Sequence, residues 1–508
     1  MNNGTHAPLV TPSDAHDQNL LSNVRPSDWV NPAPASRYNL VVIGAGPAGL
    51  IAAAGAAGLG TKVALIEKHL LGGDCLNVGC VPSKALLRAA RACADVRDAG
   101  QYGISVPPGS RADFPKIMER MRKLRSELSR HDAARRYQQL GVDVFIGRGQ
   151  FIGPETVEVE GKELHFRKAL IATGARAAVL PIPGLAESGV LTNESVFSLT
   201  QLPRRLAVIG AGAIGCELAQ AFCRFGSHVT LFEAETTILP REDAEAAAIL
   251  SRQLIRDGIQ IVCGARIERI ELTSGGKRIH LTNSGLAHAQ EVDAVLVGIG
   301  RAPNVEGLNL EAAGVEHTKD GVAVNDYLKT ANPRILAAGD VCSAHKFTHA
   351  ADAMARIALQ NALFGGRKRI SALTIPSCIF TDPEIARVGM DERQAQHSGV
   401  ALQTLVQRFD DVDRAVLDGE TEGMVKLHVR AGTDRIVGAT FVARHAGEMI
   451  SEITTAMAGG MGLAKLAGVI HPYPTQAEAI KKVADSYNRT RLTPFVKSVL
   501  KRWFRLSG

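Results

Sequence analysis

Residues 39–49 read NLVVIGAGPAG, an apolar run followed by three glycines spaced G-x-G-x-x-G. A short apolar run bounded by turn residues predicts a buried strand over 39–43. The alanine-rich segment that follows, up to Gly60, predicts a helix, and KVALIE predicts a second strand ending at Glu67. Each glycine has a separate task in such a unit. Gly44 permits the tight turn, Gly46 lets the backbone approach a pyrophosphate, and Gly49 lets the helix pack on the strand. Free N–H groups and the dipole at the helix N-terminus then hold the phosphates. Glu67 is placed to accept hydrogen bonds from a ribose diol.

The unit occurs twice. LAVI leads into GAGAIG (210–215), an amphipathic helical segment and HVTLFE, which ends at Glu233. The spacing from Gly44 to Glu67 is 23 positions, and so is that from Gly210 to Glu233. A lone G-x-G-x-x-G is weak evidence, but two complete copies predict an α/β chain with two Rossmann-like dinucleotide-binding domains. Gly210, Gly212 and Gly215 are the second set of phosphate-turn glycines. The competing reading of residues 41–60, a membrane span, rests on their lack of charge. It leaves the three motif glycines and Pro47 unexplained.

At 508 residues with 50 glycines and 45% hydrophobic content, the chain suits a globular α/β protein of about three domains. Eight cysteines over this length are too sparse for a disulfide scaffold, and residues 1–36 carry no signal-peptide pattern. The expected compartment is the cytoplasm, where a close cysteine pair points to catalysis or metal binding. Residues 481–508 hold eight basic residues and one acid, which accounts for the whole net charge of +7. The body is therefore not a polycation, and nucleic-acid binding is not expected.

The segment GGDCLNVGCVPSK (72–84) supplies such a pair, Cys75 and Cys80, with Lys84 close behind. Following the first nucleotide unit, it resembles the flavin-dependent pyridine nucleotide-disulfide oxidoreductases, the group of lipoamide dehydrogenase, glutathione reductase and mercuric reductase. The resemblance runs from about residue 37 to about residue 490. It includes ATG (172–174), Glu217, GIGRAPN (298–304), AAGD (337–340) and HPYPTQAE (471–478).

The resemblance implies FAD at the first unit, with Gly44, Gly46, Gly49, Glu67, Lys84, Thr173, Gly174, Gly339 and Asp340 around it. It implies a nicotinamide dinucleotide at the second, with Gly210, Gly212, Gly215, Glu233 and Gly300. Lys84 and Glu217 match an ion pair beside the reactive edge of the flavin. Cys75 and Cys80 match the redox-active disulfide: hydride passes to the flavin, which reduces the pair. Cys80 is then the thiolate facing the flavin and Cys75 the thiol that meets the substrate. Low-pKa thiolates suit this work, and a helix N-terminus with a nearby lysine favours them. The other six cysteines read as small core residues.

Within the family, lipoamide dehydrogenase and glutathione reductase place a catalytic histidine before the Pro-Thr of the C-terminal motif. Here that position is Tyr473, with Glu478 five residues on. A phenol with a pKa of about 10 is a poor proton shuttle at neutral pH. Mercuric reductases carry a tyrosine here, and soft thiolates suit a soft metal ion. The reading is therefore mercuric reductase-like, with Hg²⁺ bound transiently at Cys75 and Cys80 and no resident metal. The alternative is a dihydrolipoamide dehydrogenase-like enzyme. The chain departs from mercuric reductase in having no terminal vicinal cysteines, since its last is Cys378, and no cysteine in residues 1–36. Glu233 predicts NADH over NADPH, because it accepts from a 2′-hydroxyl and repels a 2′-phosphate.

The expected organisation is a flexible N-terminal arm (1–36), an FAD domain (37–190 and 300–368), an NAD(P) domain (191–299) and an α+β dimerisation domain (369–490). The resemblance implies a homodimer with shared active sites. Residues 491–508 form a basic amphipathic tail with apolar residues at helical spacing, including Trp503 and Phe504. It suits peripheral membrane contact or packing within the dimer. A third reading makes the chain a flavin-bound interaction subunit docked through this tail.

Overall fold

The computed structural model describes residues 10–178 and 180–507. The apolar run Tyr38–Ile43 is the middle of a parallel sheet. Val63–Glu67 pairs with it on one side and Lys162–Ile171 on the other. Val142–Ile146 and Ile335–Ala337 extend the two edges, also in parallel. Tyr38–Ile43 and Val63–Glu67 are buried on both faces, so their sequences are near-continuously apolar, whereas Lys162–Ile171 alternates exposed and buried residues before its last three. The longer helices of this part of the chain are α1 (Ala15–Val24), α2 (Pro47–Gly58), α3 (Cys80–Asp98) and α4 (Phe114–Ser129). Helix α2 starts at Gly46 with Pro47 in its first turn, where a missing N–H costs nothing.

The second glycine unit builds a second parallel sheet in the same way. Arg205–Ile209 lies between His228–Glu233 and Ala294–Val297, and Gln260–Cys263 is the outer strand. Helix α5 (Ala213–Phe225) follows its glycine turn. Phe114 of α4 meets Phe222 and Phe225 of α5 at ring-centroid distances of 5.8 and 6.0 Å, which ties the two nucleotide units together. Helix α6 (Thr348–Leu363) packs on α2. Residues 41–60, read alternatively as a membrane span, are strand, glycine turn and α2. Among the described residues no helix is long and apolar enough to cross a membrane.

The chain divides into two compact units. Both parallel sheets belong to the first, which runs to Ala234 and resumes over Ile259–Leu373. The second comprises Glu235–Gly258 and Thr374–Gly508. Its five-stranded antiparallel sheet has the order Pro376–Ile379, Glu384–Gly389, Ile436–Ala443, Met424–Arg430, Leu402–Arg408. Helix α7 (Glu478–Thr490) packs on this sheet and α8 (Pro494–Leu506) follows it.

Residues 10–36 are not the flexible arm that their polar, proline-containing sequence suggests. Leu20 and Val24 of α1 are in the core, and Asp17 is 1% exposed in an ion pair with Arg125 at 2.8 Å. Trp29 Nε1 donates to the Val144 carbonyl at 3.3 Å, and Asn31 bonds both the N–H and the carbonyl of Ile146. The polar residues are satisfied by a buried polar stripe on α4 (Arg122, Arg125, Ser126, Ser129), so polarity here does not mean solvation. Residues 1–9 of the expected arm lie outside the described residues.

Candidate active site

The two glycine turns are built alike. Gly44 N donates to the Ile66 carbonyl and Gly210 N to the Phe232 carbonyl, each at 2.8 Å. Ala45 N donates to Glu67 Oε2 and Ala211 N to Glu233 Oε2, each at 2.7 Å. Each terminal carboxylate is thus fixed beside its own phosphate turn. A Cβ on Gly49 would stand 1.8 Å from the Gly44 carbonyl oxygen, and one on Gly215 1.9 Å from that of Gly210. By contrast, a Cβ on Gly46 would meet nothing nearer than 3.8 Å, and one on Gly212 nothing nearer than 3.9 Å. The middle glycines, at the starts of α2 and α5, therefore leave room where a pyrophosphate must approach.

Beside the first turn, Glu67, Lys68, Gly147, Arg148, Thr173 and Glu306 line a cleft. Glu67 is nearly buried, and burial pushes its carboxyl above the ordinary range against the N–H groups of Ala45 and His69. Thr173 and Asn304 exchange side-chain-to-backbone bonds at 2.7 and 2.9 Å, joining ATG (172–174) to GIGRAPN (298–304). Gly174, at φ +69°, makes the turn between them. Gly300, at φ +130°, has open space around it. Gly339 sits between Ala48 of α2 and Ala351 of α6, which brings Asp340 to the α2 N-terminus. Burial raises the Asp340 carboxyl, opposed by Arg301 and Lys346. An open glycine turn at a helix start, with carboxylates at both ends, fits a dinucleotide such as FAD.

The redox segment hangs directly on this turn. Gly72 N donates to the Ala45 carbonyl at 2.8 Å, and a Cβ on Gly73 would meet the Gly46 Cα at 2.7 Å. Glycine at 73 is thus required for contact with the phosphate turn, and glycine at 72, at φ +92°, by its left-handed backbone and by the crowding of Leu76. Cys75 lies in the single turn Gly73–Asn77, and Cys80 is the first residue of α3. Cys80 is pulled down to about 6, first by the Cys75 thiol hydrogen-bonding to it, then by Thr348 and Lys84, against desolvation. Cys75 is pushed up by that same bond and by burial. The pair therefore divides into a thiolate at Cys80 and a protonated thiol at Cys75.

Lys84, one turn along α3, pairs with Glu217 of α5 at 3.0 Å. Two further residues were not singled out by motif. Thr348, the first residue of α6, places Oγ1 3.2 Å from Cys80 Sγ. Arg301 pairs with Asp74, next to Cys75, and its Nε lies 3.5 Å from Asp340. Only the run GIGRAP hints at Arg301, and nothing local marks Thr348.

Tyr473 and Glu478 belong to the second unit. Tyr473 is 70% exposed, and its hydroxyl donates to Asp413 Oδ2 at 2.9 Å. Asp413 raises the phenol above its ordinary value, which keeps it protonated. Glu478 opens α7 with Oε2 buried and without a hydrogen-bond partner among the described residues. Among the described residues no cluster of three or more His, Cys, Asp or Glu side chains could hold a metal ion.

Two dinucleotide turns with a cysteine pair anchored to the first define a flavoprotein disulfide reductase. The family model described as pyridine nucleotide-disulphide oxidoreductase matches residues 38–355, and that of its dimerisation domain residues 375–484. The chain belongs to that family. A mercuric reductase from Lysinibacillus sphaericus is 36% identical over 89% of this chain and 83% of its own. A dihydrolipoyl dehydrogenase from Chlamydia trachomatis is also 36% identical, over 87% of this chain and 95% of its own. The HOCl-induced flavoprotein disulfide reductase RclA from Escherichia coli superposes with a TM-score of 0.77 at 30% identity, covering 88% of this chain and 99% of that one. The chain is thus a flavin-dependent oxidoreductase of a family that uses FAD and NAD(P), and its dimerisation domain supports a homodimer.

Proposed function

We propose that the chain is a mercuric reductase-like enzyme that oxidises NADH and passes electrons through Cys75 and Cys80 to Hg²⁺ or another thiol-reactive acceptor. The observation that carries this reading is the pairing of a Cys80 thiol lowered to about 6 with a Tyr473 phenol held protonated by Asp413. When bound, FAD supplies the two-electron connection between nicotinamide and disulfide. Gly46 would leave room for its pyrophosphate at the turn that Gly44 makes and Gly49 packs, Glu67 and Asp340 would hold its ribose and ribityl ends, and Thr173 and Gly174 would border it. Lys84, oriented by Glu217, puts positive charge where negative charge develops. Gly210, Gly212, Gly215 and Gly300 receive the nicotinamide dinucleotide, and Glu233 favours NADH. The proposed division is into FAD, NAD(P) and interface domains as expected from sequence, except that Glu235–Gly258, expected in the NAD(P) domain, groups with Thr374–Gly508.

Uptake of two electrons and two protons converts the Cys75–Cys80 disulfide to the dithiol. With an organic disulfide, the Cys75 thiolate attacks one sulfur and expels a thiolate that needs a proton. Cys80 then attacks Cys75, re-forming the disulfide and releasing the second thiol. A phenol kept protonated by Asp413 cannot take the proton from Cys75. A soft metal ion displaces the Cys75 proton to solvent as it binds the sulfur, without calling on a protein base, which is why we favour it as the acceptor. By the family resemblance, Tyr473 and Glu478 would be supplied to the thiols by the partner subunit.

The dihydrolipoamide dehydrogenase-like reading is supported by relatives of equal identity and by Glu233. Anaerobic turnover with NADH, comparing Hg²⁺ in excess small thiol with lipoamide, separates the two. Hg²⁺-dependent oxidation that is lost in Cys75→Ser and Cys80→Ser is expected; rapid lipoamide turnover would transfer the assignment.

We also infer that this cytoplasmic enzyme touches anionic membranes through α8. Phe495, Trp503 and Phe504 are 66–77% exposed, and Lys497, Lys501, Arg502 and Arg505 are exposed beside them. An amphipathic helix with aromatic and basic residues suits an anionic lipid surface. The interaction-subunit reading would make this contact the main role.

A further inference from the structure

Helix α1 precedes the region that the family model matches, which begins at residue 38. It nevertheless reaches the redox segment through a continuous polar path. Asp14 caps α1 by accepting from the N–H groups of His16 and Asp17, and takes Arg122 Nε at 2.6 Å. Asn19 Nδ2 donates to Ser126 Oγ at 2.6 Å, and Asn23 Nδ2 to Ser129 Oγ at 2.8 Å. The buried polar stripe of α4 thus finds partners along one face of α1.

The central pair is Asp17 and Arg125, 1% and 3% exposed. Arg125 Nη2 donates to Asp17 Oδ1 at 2.8 Å, and its Nη1 donates to the Asn77 carbonyl at 2.9 Å. Asn77 lies between the two cysteines. Its side-chain amide donates to the carbonyls of Leu71 and Gly73 at 3.1 and 2.8 Å, closing the turn that carries Cys75. At the start of the same segment, Leu71 N donates to the Val24 carbonyl, the last residue of α1, at 3.3 Å. Helix α1 therefore holds the segment from Leu71 to Asn77 at two points.

We propose that Asp17 and Arg125 are positioning residues for the redox pair: α1 clamps the turn bearing Cys75 so that its sulfur keeps a fixed relation to Cys80. The proposal rests on the assignment of these cysteines as the redox couple. Arg125 acts through the Asn77 carbonyl, and its guanidinium keeps its orientation because the buried Asp17 carboxylate fixes it. Removing the carboxylate leaves a buried cation without that partner, which is costly in a low-dielectric interior. The turn should then loosen first, since a one-turn helix has little stability of its own.

The test uses the full-length holoenzyme with Asp17→Asn, Arg125→Lys and Arg125→Met. An Asn19→Ala/Ser126→Ala variant cuts the same helix contact away from the redox turn. Readouts are the midpoint potential of the Cys75/Cys80 couple and the alkylation rate of each thiol, resolved by mass spectrometry. In Asp17→Asn and Arg125→Met we expect the couple's equilibrium constant to change about tenfold, or about 30 mV. Cys75 should be alkylated several-fold faster, with Arg125→Lys intermediate. The Asn19/Ser126 variant should lose thermal stability without moving either readout. Potentials and alkylation rates equal to the parent's in folded variants would overturn the proposal, as would equal shifts in the Asn19/Ser126 variant. Should Arg125→Met not fold, Asp17→Asn and Arg125→Lys decide the matter. If the unaltered enzyme forms no Cys75–Cys80 disulfide at all, the redox assignment fails instead.

Discussion

Lys84 Nζ lies 3.0 Å from Glu217 Oε2, across 133 residues of sequence, and joins the helix that begins at Cys80 to the helix of the second glycine turn. The carboxylate is 7% exposed and the lysine 36%, so solvent screens only the lysine end of the pair. The ion pair fixes one cation beside the redox cysteines. With Lys84→Met, flavin reduction by NADH should slow by about tenfold or more, because charge stabilisation at the developing anion is lost. Rapid-mixing absorbance measures this. An unchanged rate would remove Lys84 from the site.

The thiolate at Cys80 has a pH signature. In the reduced enzyme, alkylation of Cys80 should follow an inflection at about pH 6, and reactivity should fall as pH drops below it. The unfolded thiol titrates near 8.5. For Cys80 alone, a folded pKa below the unfolded one contributes stability present above about pH 8.5 and lost as pH falls through about 6. The raised Cys75 thiol opposes it at high pH. Thr348→Val removes a hydroxyl that holds the thiolate and should raise the inflection.

The glycines of one turn should respond differently to the same added methyl group. At Gly49 a Cβ would overlap the Gly44 carbonyl oxygen, whereas at Gly46 it has room in the protein alone. Gly46→Ala should fold and lose flavin affinity; Gly49→Ala should lose the fold of the turn. Circular dichroism with flavin titration separates these outcomes. Equal flavin affinity in Gly46→Ala and the parent would mean that no pyrophosphate approaches there.

Specificity for the nicotinamide donor should reside in Glu233. Replacing it by glutamine removes the charge that repels a 2′-phosphate. The NADH-to-NADPH ratio of kcat/KM should fall by about tenfold or more. A ratio that does not move would shift the discrimination to neighbouring basic residues such as Arg241.

Deleting residues 491–508 should abolish co-sedimentation with phosphatidylserine-containing vesicles while leaving NADH oxidation intact. Binding of the full chain should weaken as salt rises, since the four exposed basic residues of α8 would supply the attraction to anionic lipid. Binding to neutral vesicles alone, or none to either, would eliminate the membrane role and leave contact within the dimer.

The glycine turns, Glu67 and Glu233 were legible in sequence because each works through local backbone geometry; the role of the cysteine pair came from the family resemblance. A tight turn, a close approach and a helix start all fall within about 25 residues of chain, and their spacing is set by one strand–helix–strand unit. Tyr473 was legible as a departure from a motif, but its bond to Asp413, 60 residues away, was not. Arg301 and Thr348 were missed for the same reason. Each meets the redox segment across more than 220 residues, and periodicity tells which face is buried, not what it will touch.

Residues 14–31 mark the boundary most clearly. Their polarity and prolines resemble those of a solvated segment, since composition cannot distinguish a side chain bonded to water from one bonded to a buried partner. The outcome depended on Arg122, Arg125, Ser126 and Ser129 facing them from α4, about 100 residues later. By itself the sequence determined two dinucleotide turns and a close cysteine pair after the first, because local spacing dictates them. Only the tertiary structure decided which charges surround that pair and what holds it still, because those contacts exist only once distant segments have packed together.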